Sequence, residues 1–221
     1  MTPPRWPTEL AAVIFDIDGT LLDSADGIVA GFRHALTSVG IAAPDDATLR
    51  SDLGPPIEAY FTSLGMADER LGRAVLAYRT YYLSDGIHRA TAYAGVQELL
   101  DTLRTQQVPL GTATAKRTDT AEAILAAHGL NGYFAVINGT DATRTTKTET
   151  VADTLVQLGS PDPRRVAMVG DRHSDIVAAR ECGVFAVGVT WGYGPVEELR
   201  DAGADALVHS PTELLAALSG R

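Results

Sequence analysis

A chain of 221 residues can form one large domain or a core with a smaller companion. Its formal net charge of −10 is the opposite of a nucleic-acid-binding surface, and its one cysteine, Cys182, excludes an internal disulfide framework and points to a reducing cytoplasm. No apolar run reaches the length of a membrane span, and the opening residues 1–7 lack the apolar stretch of a signal peptide, so a soluble protein is expected.

The first element is Leu10–Phe15, an unbroken apolar run that stops at Asp16-Ile17-Asp18-Gly19-Thr20. Further runs follow at Val108–Ala113, Phe134–Ile137, Val166–Val169, Val184–Val189 and, more weakly, Ala206–Val208. Continuous rather than alternating, they read as strands buried on both faces, as in a parallel sheet. Helical patterns separate the later ones: Thr118 to His128 before Gly129, Lys147 to Leu158 before Gly159, and Ser174 to Cys182 before Gly183. Strand alternating with helix predicts a doubly wound α/β core.

Between Ala25 and Ala90 no buried strand is legible. Helical patterns run instead around Asp26–Val39, Pro56–Leu64 and Asp68–Leu83. The expected organisation is therefore an α/β core from residues 1–23 and 91–221, with residues 24–90 as a helical companion over the carboxyl ends of the strands.

Four strand ends carry chemistry. Asp16 and Asp18 form a pair of carboxylates, costly to desolvate unless they reach a cation, a donor cluster or water; an Asp-rich turn capping the strand accounts for them equally well. Thr114 ends the second long strand, where a hydroxyl and backbone N–H groups suit an anion, though threonine is also a common strand residue and N-cap. Lys147 opens a helix, a place the helix dipole disfavours for a cation unless an anion or carboxylate compensates; an ordinary solvated lysine is the plainer reading. Asp171 and Asp175 flank the turn after the fourth run, an acid pair suited to a hard cation, with Asp175 also a good first-turn acid. Acid pair, hydroxyl, lysine and acid pair at four successive strand ends would all face one edge of a parallel sheet.

This constellation resembles the haloacid dehalogenase superfamily, nearest to its phosphoglycolate phosphatase and 5′-nucleotidase kind. The stretch Asp16 to Ser24 matches that group's Asp-x-Asp-Gly-Thr-Leu-x-Asp-Ser start, and Met168–Ile176, the loop Gly139–Glu149 and Gly188–Gly194 are also similar to it. Thr114 and Lys116 match the second motif, while Ala115 and Arg117 depart from it, which bears on substrate choice more than on activity.

The resemblance implies a Mg²⁺-dependent phosphatase of small phosphate monoesters, phosphoglycolate- or nucleotide-like, working through an aspartyl-phosphate on Asp16. It implies Asp18 as the proton carrier, Thr114 and Lys147 on the phosphoryl oxygens, and a metal held by Asp16, Asp171 and the Asp18 backbone carbonyl, with Asp175 behind them. Mutual repulsion of Asp16 and Asp18 would help keep one protonated. Thr20 is expected to orient Asp18, and Asp23 and Ser24 to be structural. Arg50, Glu58, Arg79 and Tyr82 are candidates for reading the far end of the substrate, although a solvated helix face is the plainer reading for each. Trp191, Tyr193 and Cys182 read as packing, and His34, His128 and His173 lack partners at metal-ligand spacing. No nucleic-acid or membrane partner is expected. A phosphomutase like β-phosphoglucomutase would share the same motifs, whereas a dehalogenase would not need Asp18. A non-catalytic regulatory relative is the other alternative, which loss of Asp16, Asp18, Lys147 or Asp171 would favour, and none is lost.

Overall fold

A computed structural model describes residues 6–7 and 9–219, so residues 1–5 of the proline-rich opening, expected not to be a signal peptide, lie outside the described residues. The chain begins its core with β1 (Ala12–Phe15), every residue of which is buried. After the Asp16–Thr20 turn comes β2 (Leu22–Asp23), then four helices: α1 (Ala25–Ser38), α2 (Asp46–Ser51), α3 (Ile57–Ser63) and α4 (Asp68–Ser84). Strand β3 (Thr91–Ala92) pairs antiparallel with β2, Leu22 opposite Ala92, so the helical stretch leaves and rejoins the rest of the chain at one two-stranded neck.

Beyond the neck, α5 (Val96–Thr105), β4 (Leu110–Thr112), α6 (Thr118–Ala127), α7 (Lys147–Gln157), β5 (Val166–Gly170), α8 (His173–Glu181), β6 (Phe185–Val189), α9 (Val196–Asp201), β7 (Ala206–Val208) and α10 (Pro211–Leu218) complete the chain. The five longer strands form one parallel sheet in the order β4-β1-β5-β6-β7. Its two faces fill different cores. Val13, Phe15 and Val169 enter one cluster, while Ala12, Ile14 and Met168 enter the other. Alternate residues facing opposite cores is why these strands are apolar throughout.

The run Phe134–Ile137, expected to be a strand, is corrected to an extended edge segment with only an isolated bridge from Val136 to Gly111. Its pairing with β4 amounts to Ala135 N–H on the Leu110 carbonyl and Thr112 N–H on the Val136 carbonyl. Side chains then take over. Asn138 N–H donates to the Thr112 hydroxyl at 2.9 Å, and the Thr154 hydroxyl claims the Thr112 carbonyl at 2.9 Å. Helices α2, α5, α9 and α10 lie outside the expected helical patterns; α2 is short and capped by the Asp45 side chain accepting from Thr48 N–H.

Helices α1 and α4 pack along each other in the 24–90 stretch, with Phe32 stacked on Tyr60 at 4.1 Å and Tyr78 on Tyr82 at 5.6 Å. Gly31 permits the approach: a Cβ there would meet the Tyr78 ring at 2.8 Å. Tyr82, fully buried, carries this helical layer onto the carboxyl edge of the sheet.

Candidate active site

Strand β1 ends where the Asp16 N–H donates to the Val169 carbonyl at 2.9 Å, so the two central strands hold Asp16 beside the turn that follows β5. Asp16, Asp171 and Asp175 converge there, each offering a carboxylate oxygen within 4.8 Å of the others. All three are buried. Small residues make the room. A Cβ on Gly19, whose φ of +76° favours glycine, would lie 2.3 Å from Asp171 Oδ2, and one on Gly170 would lie 2.2 Å from Asp175 Cγ.

Lys147 opens α7, whose N-cap Thr146 and Glu149 form a capping box. Its Nζ stands 2.9 Å from Asp16 Oδ1 and 2.7 Å from Asp175 Oδ1, and donates to the Ala113 carbonyl at 3.0 Å. Burial works against the Lys147 charge, but the Asp16 and Asp175 carboxylates hold the ammonium well above the usual lysine range. The unfavourable helix-start position is thus compensated by carboxylates.

One ammonium does not balance three carboxylates. Burial, then the Asp175 and Asp16 charges, push Asp171 up to about 8. Burial also raises Asp175, to about 6, with Lys147 opposing it. Asp171 Oδ2 accepts from Tyr193 N–H at 2.7 Å, and Asp175 Oδ2 from Arg172 N–H at 3.0 Å. Asp16 Oδ1 and Asp175 Oδ1 face the Lys147 ammonium. Three buried carboxylates around one point, with that one ammonium against them, are a hard anionic oxygen set that fits a small divalent cation.

The Asp18 carboxylate lies outside that trio. Lys116 Nζ stands 3.0 Å from its Oδ2, and the Ser24 hydroxyl donates to its Oδ1. Lys116 in turn sits over the Tyr82 ring, 4.1 Å from its centroid, an arrangement that favours a desolvated cation. Burial lowers the Lys116 pKa while Asp18 raises it, and the net shift is upward. The repulsion expected between Asp16 and Asp18 therefore acts in the presence of two ammonium groups, one facing each. Thr114, almost fully buried, lines the same cavity, its hydroxyl accepting from Lys116 N–H at 3.3 Å.

Several expectations change. Thr20 turns its hydroxyl towards Asp171 Oδ1, at 3.5 Å, rather than towards Asp18. Ser24 is a partner of Asp18, and Tyr193 is more than packing: its N–H holds Asp171, and its hydroxyl accepts from Ser24 N–H at 2.7 Å. Arg50 pairs with Asp26 on the exposed side of the helical layer and does not line the cavity. Glu58, Arg79 and Tyr82 do line it. Lys116 had a signal in its motif position but no partner legible along the chain. Cys182 is half-buried, its thiol pushed up by burial, with Sγ 3.7 Å from the Thr148 carbonyl, as suits a packing residue. His34 stacks on Tyr81, and His128 Nε2 lies 2.8 Å from the Ile87 carbonyl, both away from the acids.

Asp16, Asp18, Thr114 and Lys147 thus meet at the floor of one cavity roofed by Ile28, Phe32, Tyr78 and Tyr82. No helix among the described residues is long and apolar enough to cross a membrane. Residues 13–189 match the family model described as haloacid dehalogenase-like hydrolase. Over 202 residues the chain is 40% identical to the tyrosine-protein kinase PtkA of Mycobacterium tuberculosis, spanning 90% of this chain and 69% of that one. It is 33% identical over 218 residues to a 5′-nucleotidase of Pseudomonas aeruginosa, covering 97% of this chain and 93% of the relative. A solved haloacid dehalogenase-like hydrolase of Streptococcus pneumoniae superposes with a TM-score of 0.86 at 32% identity, over 94% of this chain and 97% of that one.

Proposed function

The chain belongs to the haloacid dehalogenase-like hydrolase family, and from that premise we propose that it is a Mg²⁺-dependent phosphatase of small phosphate monoesters, with Asp16 as nucleophile. The observation that carries this reading is the division of labour among the carboxylates. Asp16 shares Lys147 with a buried acid trio, while Asp18, two residues on, is held apart by Lys116 and Ser24.

In this reading an Asp16 carboxylate oxygen attacks phosphorus and the ester oxygen leaves, taking a proton from Asp18. The resulting aspartyl-phosphate is then opened by water, whose proton returns to Asp18, so that free phosphate and an alcohol are the products. Lys147 and the Thr114 hydroxyl donate to the phosphoryl oxygens, in a transfer that depends mainly on positioning and charge. Asp16, Asp171 and the Asp18 backbone carbonyl would hold Mg²⁺, with Asp175 fixing Lys147 behind them. When bound, the cation offsets the charge that otherwise keeps a carboxylate from approaching a phosphate dianion. Residues 24–90 act as the cap on a core of residues 1–23 and 91–221, and the apolar roof of the cavity keeps bulk water from the intermediate.

Phosphate release over a panel of monoesters tests the reading. Release with Mg²⁺, loss with a chelator and recovery on adding the metal back are expected; release indifferent to the chelator would contradict it. The 40% identity to a protein named a tyrosine-protein kinase supports a second reading, in which a tyrosine hydroxyl replaces water as acceptor. The same assay with a tyrosine-containing peptide added separates the two, by free phosphate against phosphorylated peptide.

A further inference from the structure

We propose that the ester cleaved here has a short, uncharged leaving group: an alcohol of a few carbons that carries neither a carboxylate nor a second phosphate. This rests on the phosphatase reading above and narrows it.

Size is the first constraint. The cavity over Asp16 and Asp18 has a volume of about 80 Å³, whereas an apolar cavity of about 150 Å³ takes benzene. A second hollow of about 290 Å³ shares Lys147, Ala115, Thr140 and Arg172 with the cavity over the two acids, so the limit applies to the part of the leaving group that stays under the roof of Ile28, Phe32 and Tyr78.

Charge is the second. The cationic side chains that line the cavity each face an acid of the protein. Lys147 lies against Asp16 and Asp175, and Lys116 is held between Asp18 and the Tyr82 ring. Arg172 meets Glu198 at 3.0 Å and the Leu53 carbonyl. At the rim, Arg117 meets Asp119 at 3.1 Å and Arg79 pairs with Glu58. The rim pairs are partly exposed and individually weak, so pairing alone would not exclude an anion there. Glu58, however, lines the cavity itself and places a negative charge beside Arg79. The uncharged part of the lining is largely apolar, with Ile28, Phe32, Ile57 and the Tyr78 ring, and offers an anion no countercharge. A carboxylate or second phosphate would be desolvated there without a partner, whereas a short alcohol loses little.

A matched pair of substrates tests this. Phosphoglycolate and 2-hydroxyethyl phosphate differ in a carboxylate for a hydroxymethyl group, and acetyl phosphate, small and activated, reports whether the enzyme turns over at all. With saturating Mg²⁺, kcat/KM for 2-hydroxyethyl phosphate should exceed that for phosphoglycolate by about tenfold or more, the scale on which a pocket of this kind discriminates. Glu58→Gln, which releases Arg79, should narrow that gap severalfold by raising the phosphoglycolate value. Phosphoglycolate turned over as well as its uncharged partner would overturn the inference and leave the phosphatase reading standing. So would turnover of acetyl phosphate with neither alcohol ester cleaved, or a gap that Glu58→Gln leaves as wide. Failure to release phosphate even from acetyl phosphate would instead remove the phosphatase reading, and this inference with it.

Discussion

Lys147 Nζ stands 2.7 Å from Asp175 Oδ1, with 8% of the lysine side chain and none of the aspartate exposed. Breaking a buried pair by deleting one partner typically costs about 3–5 kcal/mol, because the other charge is left uncompensated. Lys147→Met should therefore abolish phosphate release and lower the Tm by roughly 10 °C in a chain of this size. Because the stranded carboxylates can escape by protonating, the loss in metal-free protein should be larger at pH 8 than at pH 5. Thermal scans at both values check this; a loss independent of pH would mean that Lys147 contributes packing rather than charge.

The acid trio makes metal-free stability depend on pH. Asp171 and Asp175 are raised to about 8 and about 6, against about 3.9 in an unfolded chain. Between those limits the folded state holds protons that the unfolded state has released, so stability falls as pH rises from about 4 to about 8. The slope approaches about 1.4 kcal/mol per pH unit for each such proton. Lys147, held charged well above this window, adds no slope within it. With a chelator present, Tm should drop between pH 5 and pH 8; saturating Mg²⁺ should flatten the drop, and so should Asp171→Asn. A metal-free Tm that rises over that range would contradict the arrangement.

Gly170 closes β5 where a Cβ would fall 2.2 Å from Asp175 Cγ. Gly170→Ala must displace Asp175, and with it a partner of Lys147. The expected outcome is a folded protein with phosphate release reduced by about 10²-fold, the order that small misplacements of reacting groups cost. Near-native turnover would show that Asp175 tolerates movement.

How much of this was legible in the sequence follows from how local each cause is. The buried strands and the edge they share were legible because an unbroken apolar run has few other uses, and because strand, turn and helix follow one another along the chain. Asp16 and Asp171 follow β1 and β5 directly, Thr114 lies just past β4, and Asp175 sits in the first turn of the next helix, so their approach to one edge was legible. Lys147, at the start of α7 beyond a long loop, was placed by the family resemblance rather than by spacing. The clamp on Asp18 was not legible. Lys116 needs the Tyr82 ring from α4, and Ser24 needs the Tyr193 hydroxyl from the far end of the chain, contacts that only packing creates. Phe134–Ile137 has a strand's composition, but the competition lies in the hydroxyls of Thr112 and Thr154. Arg50 sits in the right helical stretch and faces the wrong way, towards Asp26.

In the proposed reading Asp18, held between Lys116 and Ser24, is the acid that protonates the leaving oxygen. Asp18→Asn should slow the first turnover of alkyl phosphates by about 10²–10⁴-fold, the usual worth of general acid catalysis, and that of aryl phosphates far less, since an aryl oxide departs unaided. Rapid-quench measurement is needed because the same residue also serves the water step. Equal losses for the two ester classes would leave Asp18 a positioning residue.

The central claim is that phosphate passes through Asp16, and the most direct measurement is mass-spectrometric mapping of protein quenched in acid within the first turnover. The account predicts a phosphoryl group on the peptide containing Asp16, rising before free phosphate appears and absent in Asp16→Asn, which should release no phosphate. Phosphate released at the wild-type rate by Asp16→Asn, or a burst of free phosphate with no adduct on that peptide, would contradict it.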